Sequence, residues 1–342
     1  MKRKNGLMIY ETNPNTNIFN IGDYIQSLAA AQFYDNKIDV FINREELNDY
    51  NGDEVKLIMN GWFLHRPENF PPSSKISPLF VAFHLNSTAY HILEKQEVVD
   101  YFKLHEPIGC RDKKTAELLS SKGINAYFSG CMTLTLGMTY SCKDRQNKDI
   151  IFTDSYIPCD ESFFFKLKSC FLSLFSASNV LKISKNKYKN TSFKSIVRSC
   201  IFYQTYKSIF DINVLLNAKY FNHEYFDNFK SESDKFECAK ELLNIYANAR
   251  LVVTSKIHCA LPCLSLGTPV IYVDTVTDVS ESTCRLDGLL DLFNVIKWNG
   301  KKFTSEVFVN KISIDTKVCN KQNFQKYRDS LINTCKNFVQ QD

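Results

Sequence analysis

The run Ser255-Lys256-Ile257-His258 carries the clearest chemical signal in the 342-residue sequence. It stands where a short apolar, β-branched run gives way to a helical one. A lysine and a histidine two apart at that point both project toward an anion lying over a helix N-terminus. Free backbone N–H groups and the positive dipole end favour negative charge there. Lysine holds a phosphate or carboxylate as a point charge, and histidine moves protons near neutral pH. The spacing is equally compatible with a surface lysine and a packed histidine. Arg111 occupies the corresponding place in the first half, between an apolar run and a helix starting near Asp112. It can grip an anion, bidentately if that anion is a carboxylate; the plainer reading pairs it with Asp112 or Glu106.

Other residues fall at similar junctions. Asn20-Ile21-Gly22-Asp23-Tyr24 opens a helix, where glycine admits close approach and Asp23 either holds a sugar hydroxyl or caps the helix. Asn60 and Trp62 end one apolar run and His84 ends another. Arg285 precedes the apolar run 286–293, where a cation at a helix start opposes the dipole and hints at a nearby anion. There is no GxGxxG and no Walker A sequence, so dinucleotide-binding and P-loop readings lack their signature. Cys259 and Cys263 lie four apart with no second ligand pair, and no zinc or other metal site is expected.

The elements that must position these residues alternate between short β-branched runs and longer helical ones, the pattern of an α/β chain with parallel sheets. Strands are expected at 57–60, 79–83, 107–110, 126–128, 149–153, 179–183, 250–254 and 269–273. Helices are expected at 23–33, 112–122, 233–247, 256–266 and 286–293. The strand–helix–strand unit at 250–273 reads as a right-handed crossover, which puts residues 254–258 at the carboxyl end of a strand, where open α/β sheets bind ligands. The apolar pattern lapses at 137–148. We therefore expect a first domain at 1–145, carrying Arg111, and a second at 146–342 with a C-terminal helix packing back on the first. Two doubly wound halves would face each other across a cleft.

Composition fits this plan. Hydrophobic residues make up 44% and charged residues 23%, which excludes a largely disordered chain. No stretch is a signal peptide or a bilayer span, and the twelve cysteines lack paired spacing, so a cytoplasmic protein is expected. The charge is uneven. Residues 162–210 hold nine Lys or Arg and no Asp or Glu, and without them the formal +5 of the chain becomes −4. The same stretch holds eleven aromatics. Basic and aromatic residues interleaved in this way suit peripheral contact with an anionic membrane surface; no nucleic-acid motif accompanies them, and nucleic acid is not expected as a partner. An ordinary amphipathic helix pair, with Phe buried and Lys solvated, is the alternative.

Five segments resemble the polysaccharide pyruvyl transferases, the enzymes that put a pyruvate ketal on bacterial surface sugars. They are NIGDYIQSLAA (20–30), LIMNGWF (57–63), EPIGCRDKKTAELLSSKGI (106–124), YFSGCMTLTL (127–136) and ANARLVVTSKIHCALPCLSLGTPVIYV (247–273). The resemblance implies two Rossmann-like domains facing a cleft in a GT-B-like arrangement. It implies phosphoenolpyruvate as donor and co-substrate, no cofactor, and two hydroxyls of a polysaccharide sugar or its lipid-linked precursor as acceptor. Arg111, Ser255, Lys256, His258 and Arg285 would then bind the donor, with His258 and Arg111 catalytic. Asn20, Gly22, Asp23, Asn60, Trp62 and His84 would form the acceptor side, and His223 matches a family histidine that follows a strand. Lys256 departs from the arginine usual there and loses its bidentate fork. A nucleotide-sugar glycosyltransferase of the same shape, with Asp274 on the ribose, and a non-catalytic carbohydrate-binding relative are the alternatives. A lipid-linked acceptor would bring the protein to the inner face of the membrane.

Overall fold

Alternating β-branched and helical segments build two six-stranded sheets in the computed structural model, which describes residues 3–142, 149–158, 162–274 and 286–341. The first half runs β1 (Lys4–Ile9), β2 (Ile18–Asn20), α1 (Ile21–Ala31), β3 (Val40–Asn43), β4 (Val55–Phe63), β5 (Ile76–Leu85), α2 (Gln96–Leu104), β6 (Ile108–Cys110), α3 (Lys113–Ser121), β7 (Ala126–Phe128) and α4 (Gly137–Tyr140). Its sheet has the order β3-β1-β4-β5-β6-β7, with every pairing parallel. The strands therefore share a carboxyl edge, and Arg44, Arg111 and the end of β4 meet there.

The second half runs β8 (Ile150–Thr153), α5 (Phe163–Ser173), α6 (Ala177–Tyr188), α7 (Phe193–Tyr206), α8 (Ile212–Asn217), β9 (Lys219–Phe221), β10 (Glu224–Phe226), α9 (Glu232–Asn248), β11 (Leu251–Thr254), α10 (Ile257–Ser265), β12 (Val270–Asp274), β13 (Asn294–Trp298), β14 (Phe303–Thr304) and α11 (Gln325–Gln340). Its order is β14-β13-β12-β11-β8-β9, parallel except for β14. The period of two sorts its side chains between two faces. Ile151, Val252, Val270 and Tyr272 join the core shared with α9 and α10, while Phe152, Val253, Ile271 and Val273 join a separate core beneath α6, α7 and α8. Each fully buried side chain of this kind stabilises by about 1.5–3 kcal/mol. The chain is thus an α/β protein of two doubly wound, Rossmann-like domains facing a cleft, in a GT-B-like arrangement.

The halves are joined by more than the chain crossing. β2 pairs antiparallel with β10, setting Asn20 opposite Glu224, and Ile21 N–H donates to the His223 carbonyl at 2.9 Å. Helix α1 is buried along nearly its whole length and belongs to one apolar core with residues of α9 and α10. Helix α11 returns to the first half, where Tyr327 lies 5.0 Å from Phe128 edge-on and Lys56 Nζ donates to the Val339 carbonyl at 3.3 Å.

Two expectations fail. Residues 179–183 are helical, inside α6, because Val180, Ile183 and Ser184 are buried at helical spacing; the β-branched residues that suggested a strand are one helical face. Residues 286–293 form no α-helix. Gly288 takes φ +82, and Leu290–Leu292 makes a 3₁₀ turn before β13. The described residues also include strands at β1, β3 and β13 that no expectation covered, each a run of six residues or fewer.

Candidate functional site

Arg111 is set by backbone and carboxylate chemistry before it meets any ligand. Its N–H donates to the Phe83 carbonyl at 2.8 Å, extending the β5–β6 pairing by one residue. The next residue, Asp112, caps α3 by accepting the Thr115 N–H at 2.8 Å and takes His84 Nδ1 at 2.6 Å. Burial pushes the Asp112 carboxyl up, but the His84 hydrogen bond, the charges of His84 and Arg111 and the Thr115 N–H outweigh it, so it lies below its ordinary value. The Arg111 side chain, 1% exposed, reaches across the cleft. Nη1 lies 3.3 Å from His258 Nε2 and 3.5 Å from Gln26 Oε1. A guanidinium only donates, so His258 Nε2 accepts and the ring carries its proton on Nδ1.

On the facing edge, Thr254 Oγ1 accepts the Lys256 N–H at 3.0 Å and the Ser255 hydroxyl donates to the Asp154 carbonyl. The Tyr272 hydroxyl donates to the Ser255 carbonyl at 3.1 Å. These bonds shape the turn that opens α10, with Lys256 at its cap position and no side chain capping the helix. Helix α1 opens toward the same place, its first N–H groups satisfied in part by Asn20 Oδ1, which takes Gly22 N–H at 2.9 Å. A Cβ on Gly22 would stand 2.9 Å from His258 Cβ, so only glycine lets the two helix starts meet this closely.

Arg111, Ser255, Lys256 and His258 line a cavity of about 290 Å³, together with Asn20, Asp23, Arg44, Trp62, His65, His223 and Tyr272. Burial lifts the Asp23 carboxyl above its ordinary value, against the pull of Arg44, Arg111, His65 and His223. Gln26 Nε2 donates to it at 3.1 Å. Arg44 is held by Glu45 Oε1 at 2.7 Å and lies over the Tyr10 and Trp62 rings at 5.0 and 4.9 Å. Burial and Arg44 hold His65 below its ordinary value, against Glu45 and Asp23, and its ring packs 4.3 Å from that of Trp62. His223 is buried, with Nε2 at 2.8 Å from the Tyr246 hydroxyl, which donates to Thr153 Oγ1 at 3.2 Å. Behind it, burial pushes the Cys259 thiol up, but hydrogen bonds with Cys263, His223 and Tyr246 bring it down to about 5. Among the described residues no group of three His, Cys, Asp or Glu side chains is arranged to hold a metal ion.

The structure therefore brings Asn20, Asp23, Trp62, Arg111, His223, Ser255, Lys256 and His258 to one cavity wall. Three residues expected on the acceptor side are elsewhere. His84 is occupied by Asp112 and Thr115 behind Arg111. Asn60 is buried in β4, where its Nδ2 donates to the Gln26 carbonyl at 3.1 Å. Gly22 acts through its lack of a side chain. Arg285 lies outside the described residues. Sequence reading missed Arg44, His65, Gln26 and Tyr272. Arg44 and His65 follow strand ends just as Arg111 does, but β3 is too short to have shown as a strand.

One comparison with known proteins points to a family. The family model described as polysaccharide pyruvyl transferase matches residues 20–275. No curated protein matches the sequence. Among solved structures, an uncharacterised protein from Klebsiella pneumoniae aligns at 12% identity and TM-score 0.40, covering 91% of this chain and 93% of its own. A chain titled as a putative UDP-N-acetylglucosamine 2-epimerase from Listeria monocytogenes aligns at 11% identity and TM-score 0.38, covering 99% of this chain and 91% of its own. Likeness at that level carries no argument about substrate.

Proposed function

Because the chain belongs to the polysaccharide pyruvyl transferase family and is thereby a transferase acting in polysaccharide biosynthesis, we propose that it moves the pyruvyl group of phosphoenolpyruvate onto two hydroxyls of one sugar, forming a ketal and releasing phosphate. The observation that carries this reading is the Arg111–His258 contact across the cleft, 3.3 Å long, beside Lys256 at the start of α10. Two cations and a helix N-terminus suit a donor that bears both a carboxylate and a phosphate. An anion that engages Arg111 frees His258 Nε2 to take up and deliver a proton.

The chemistry balances with these groups. A proton goes to the methylene carbon of the enol, one sugar hydroxyl adds to C2, and that hydroxyl gives up its proton. The C2–O bond to phosphate then breaks with the electron pair leaving on phosphate. The neighbouring hydroxyl closes the ring and its proton leaves with the phosphate or through a side chain. His258 carries the first proton. Asp23, raised above the ordinary carboxylate range, is suited to exchange protons with a hydroxyl, and the Trp62 ring offers a face to the sugar. Lys256 and Ser255 complete the donor side, and no cofactor or metal takes part. A lipid-linked precursor of the polysaccharide is the acceptor we favour.

A melting-temperature panel tests this reading. Phosphoenolpyruvate should raise the melting temperature of the wild-type chain and not that of Arg111→Ala. A UDP- or GDP-sugar that stabilises while phosphoenolpyruvate does not would replace the proposal with nucleotide-sugar transfer, and stabilisation by glycan alone would leave a carbohydrate-binding protein.

A further inference from the structure

Helix α5 is built inside out. Its buried positions toward α7 are Ser169 and Ser173, while Phe163, Phe164, Leu167, Phe171 and Leu172 face water. At 100° per residue these five span about half the helix circumference as one continuous arc. The following turn extends the arc with Leu174 and Phe175, the latter 94% exposed. Among the described residues, nine of the seventeen exposed large apolar side chains fall within 163–193. The inner side of the helix is modest: α5 packs mainly on α7, and of its apolar side chains only Phe165 and Cys170 are half-buried against the core that α6, α7 and α8 share with the second sheet.

Folding of this chain does not account for that arrangement, since leaving apolar area in water forgoes the stabilisation its burial would give. The charges around it point to what does. Lys168 lies inside the apolar arc of α5, Lys182, Lys185 and Lys189 are exposed on and just beyond α6, and Lys194 and Arg198 are exposed on α7. No acidic residue occurs anywhere in 162–210. The exposed aromatic face and the cations of a stretch without carboxylates match a planar, apolar phase with an anionic surface. A second copy docked patch to patch would set cation against cation with nothing to neutralise them. Among the described residues no helix is long and apolar enough to cross a membrane, so the contact is a surface one.

We propose that the α5–α7 block docks the protein on the surface of an anionic lipid bilayer, with the α5 aromatics inserted at the interface and the flanking cations on the head groups. This rests on the surface alone and stands whether or not the cleft transfers pyruvyl groups.

Co-sedimentation of the full chain with vesicles tests it. Mixed phosphatidylcholine–phosphatidylglycerol vesicles should pellet the protein at low salt, phosphatidylcholine vesicles should pellet far less, and added salt should release it. Neutralising Lys168 or Lys185 to Gln should lower partitioning about fivefold each. The triple variant Phe163→Ser, Phe171→Ser, Phe175→Ser should lose binding while keeping the wild-type melting temperature, because all three rings are exposed. Equal pelleting with both vesicle types, none with either, or wild-type binding by the folded triple variant would overturn the proposal. So would a wild-type dimer, by sedimentation velocity, that the triple variant converts to monomer.

Discussion

The cleft and the α5–α7 block spend their residues in opposite ways. In the cleft, charged and polar side chains are buried and tied to one another: Arg111 to His258, Asp112 to His84, Arg44 to Glu45. Burying a charge is costly unless a partner satisfies it, so such a network holds its groups in one geometry. In the block, serines are inside, phenylalanines outside, and the exposed cations have no acidic residue in their own stretch. The first arrangement makes sense as preorganised chemistry. The second makes sense only with something outside the chain.

Substitutions can break or sharpen that contrast. The largest effect is expected at His258: His258→Ala should lower turnover with phosphoenolpyruvate by about 10²–10⁴-fold while the donor-induced melting shift persists. Near-full turnover would remove its proton-transfer role. Breaking the buried pair next to it comes second. Asp112→Asn should cost about 3–5 kcal/mol in urea unfolding at neutral pH. Because Asp112 lies below its ordinary value in the folded chain, its contribution is present above the unfolded value near ~3.9 and is lost as pH falls through the folded one. The difference from wild type should therefore shrink at acid pH.

Gly22→Ala should cost about 1–3 kcal/mol by forcing the two helix starts apart, with a lower turnover to match; an unchanged enzyme would show that the close approach to His258 is not needed. Asp23→Asn should act in the other direction on stability. Its carboxyl is raised on folding, so the penalty is absent below the unfolded value near ~3.9 and grows as pH rises through the folded one. The Asn variant should melt higher than wild type at neutral pH, with the gain vanishing on acidification, and should transfer more slowly. The smallest effect belongs to the block: Phe171→Ser alone should move unfolding by no more than about 0.5 kcal/mol. A large loss there would mean that the ring supports the fold.

Much of the site was legible in the sequence because it sits on local signals. Parallel strands followed by helices put Arg111 and residues 255–258 at carboxyl strand ends, and Asp112 shows as a helix cap next to an apolar run. His84 and Asn60 carry the same local signal yet face inward, because a strand end does not reveal which side its neighbours close. Arg44 and His65 were hidden behind a strand of four residues and a strand end that had not been recognised as long as it is. The α6 error has the same origin: Val180 and Ile183 are β-branched, and only packing against α7 shows that their spacing is helical.

By itself the sequence determined the α/β plan, the two parallel sheets and the isolated basic, aromatic stretch, since these follow from periodicity, turn residues and charge along the chain. The tertiary structure alone decided that Arg111 meets His258, that β2 pairs with β10 to bring His223 to the same cavity, and that the phenylalanines of α5 face out. Each is a contact or exposure between segments far apart in the chain. Such contacts are set by how buried surfaces fit together, and linear spacing carries little record of that.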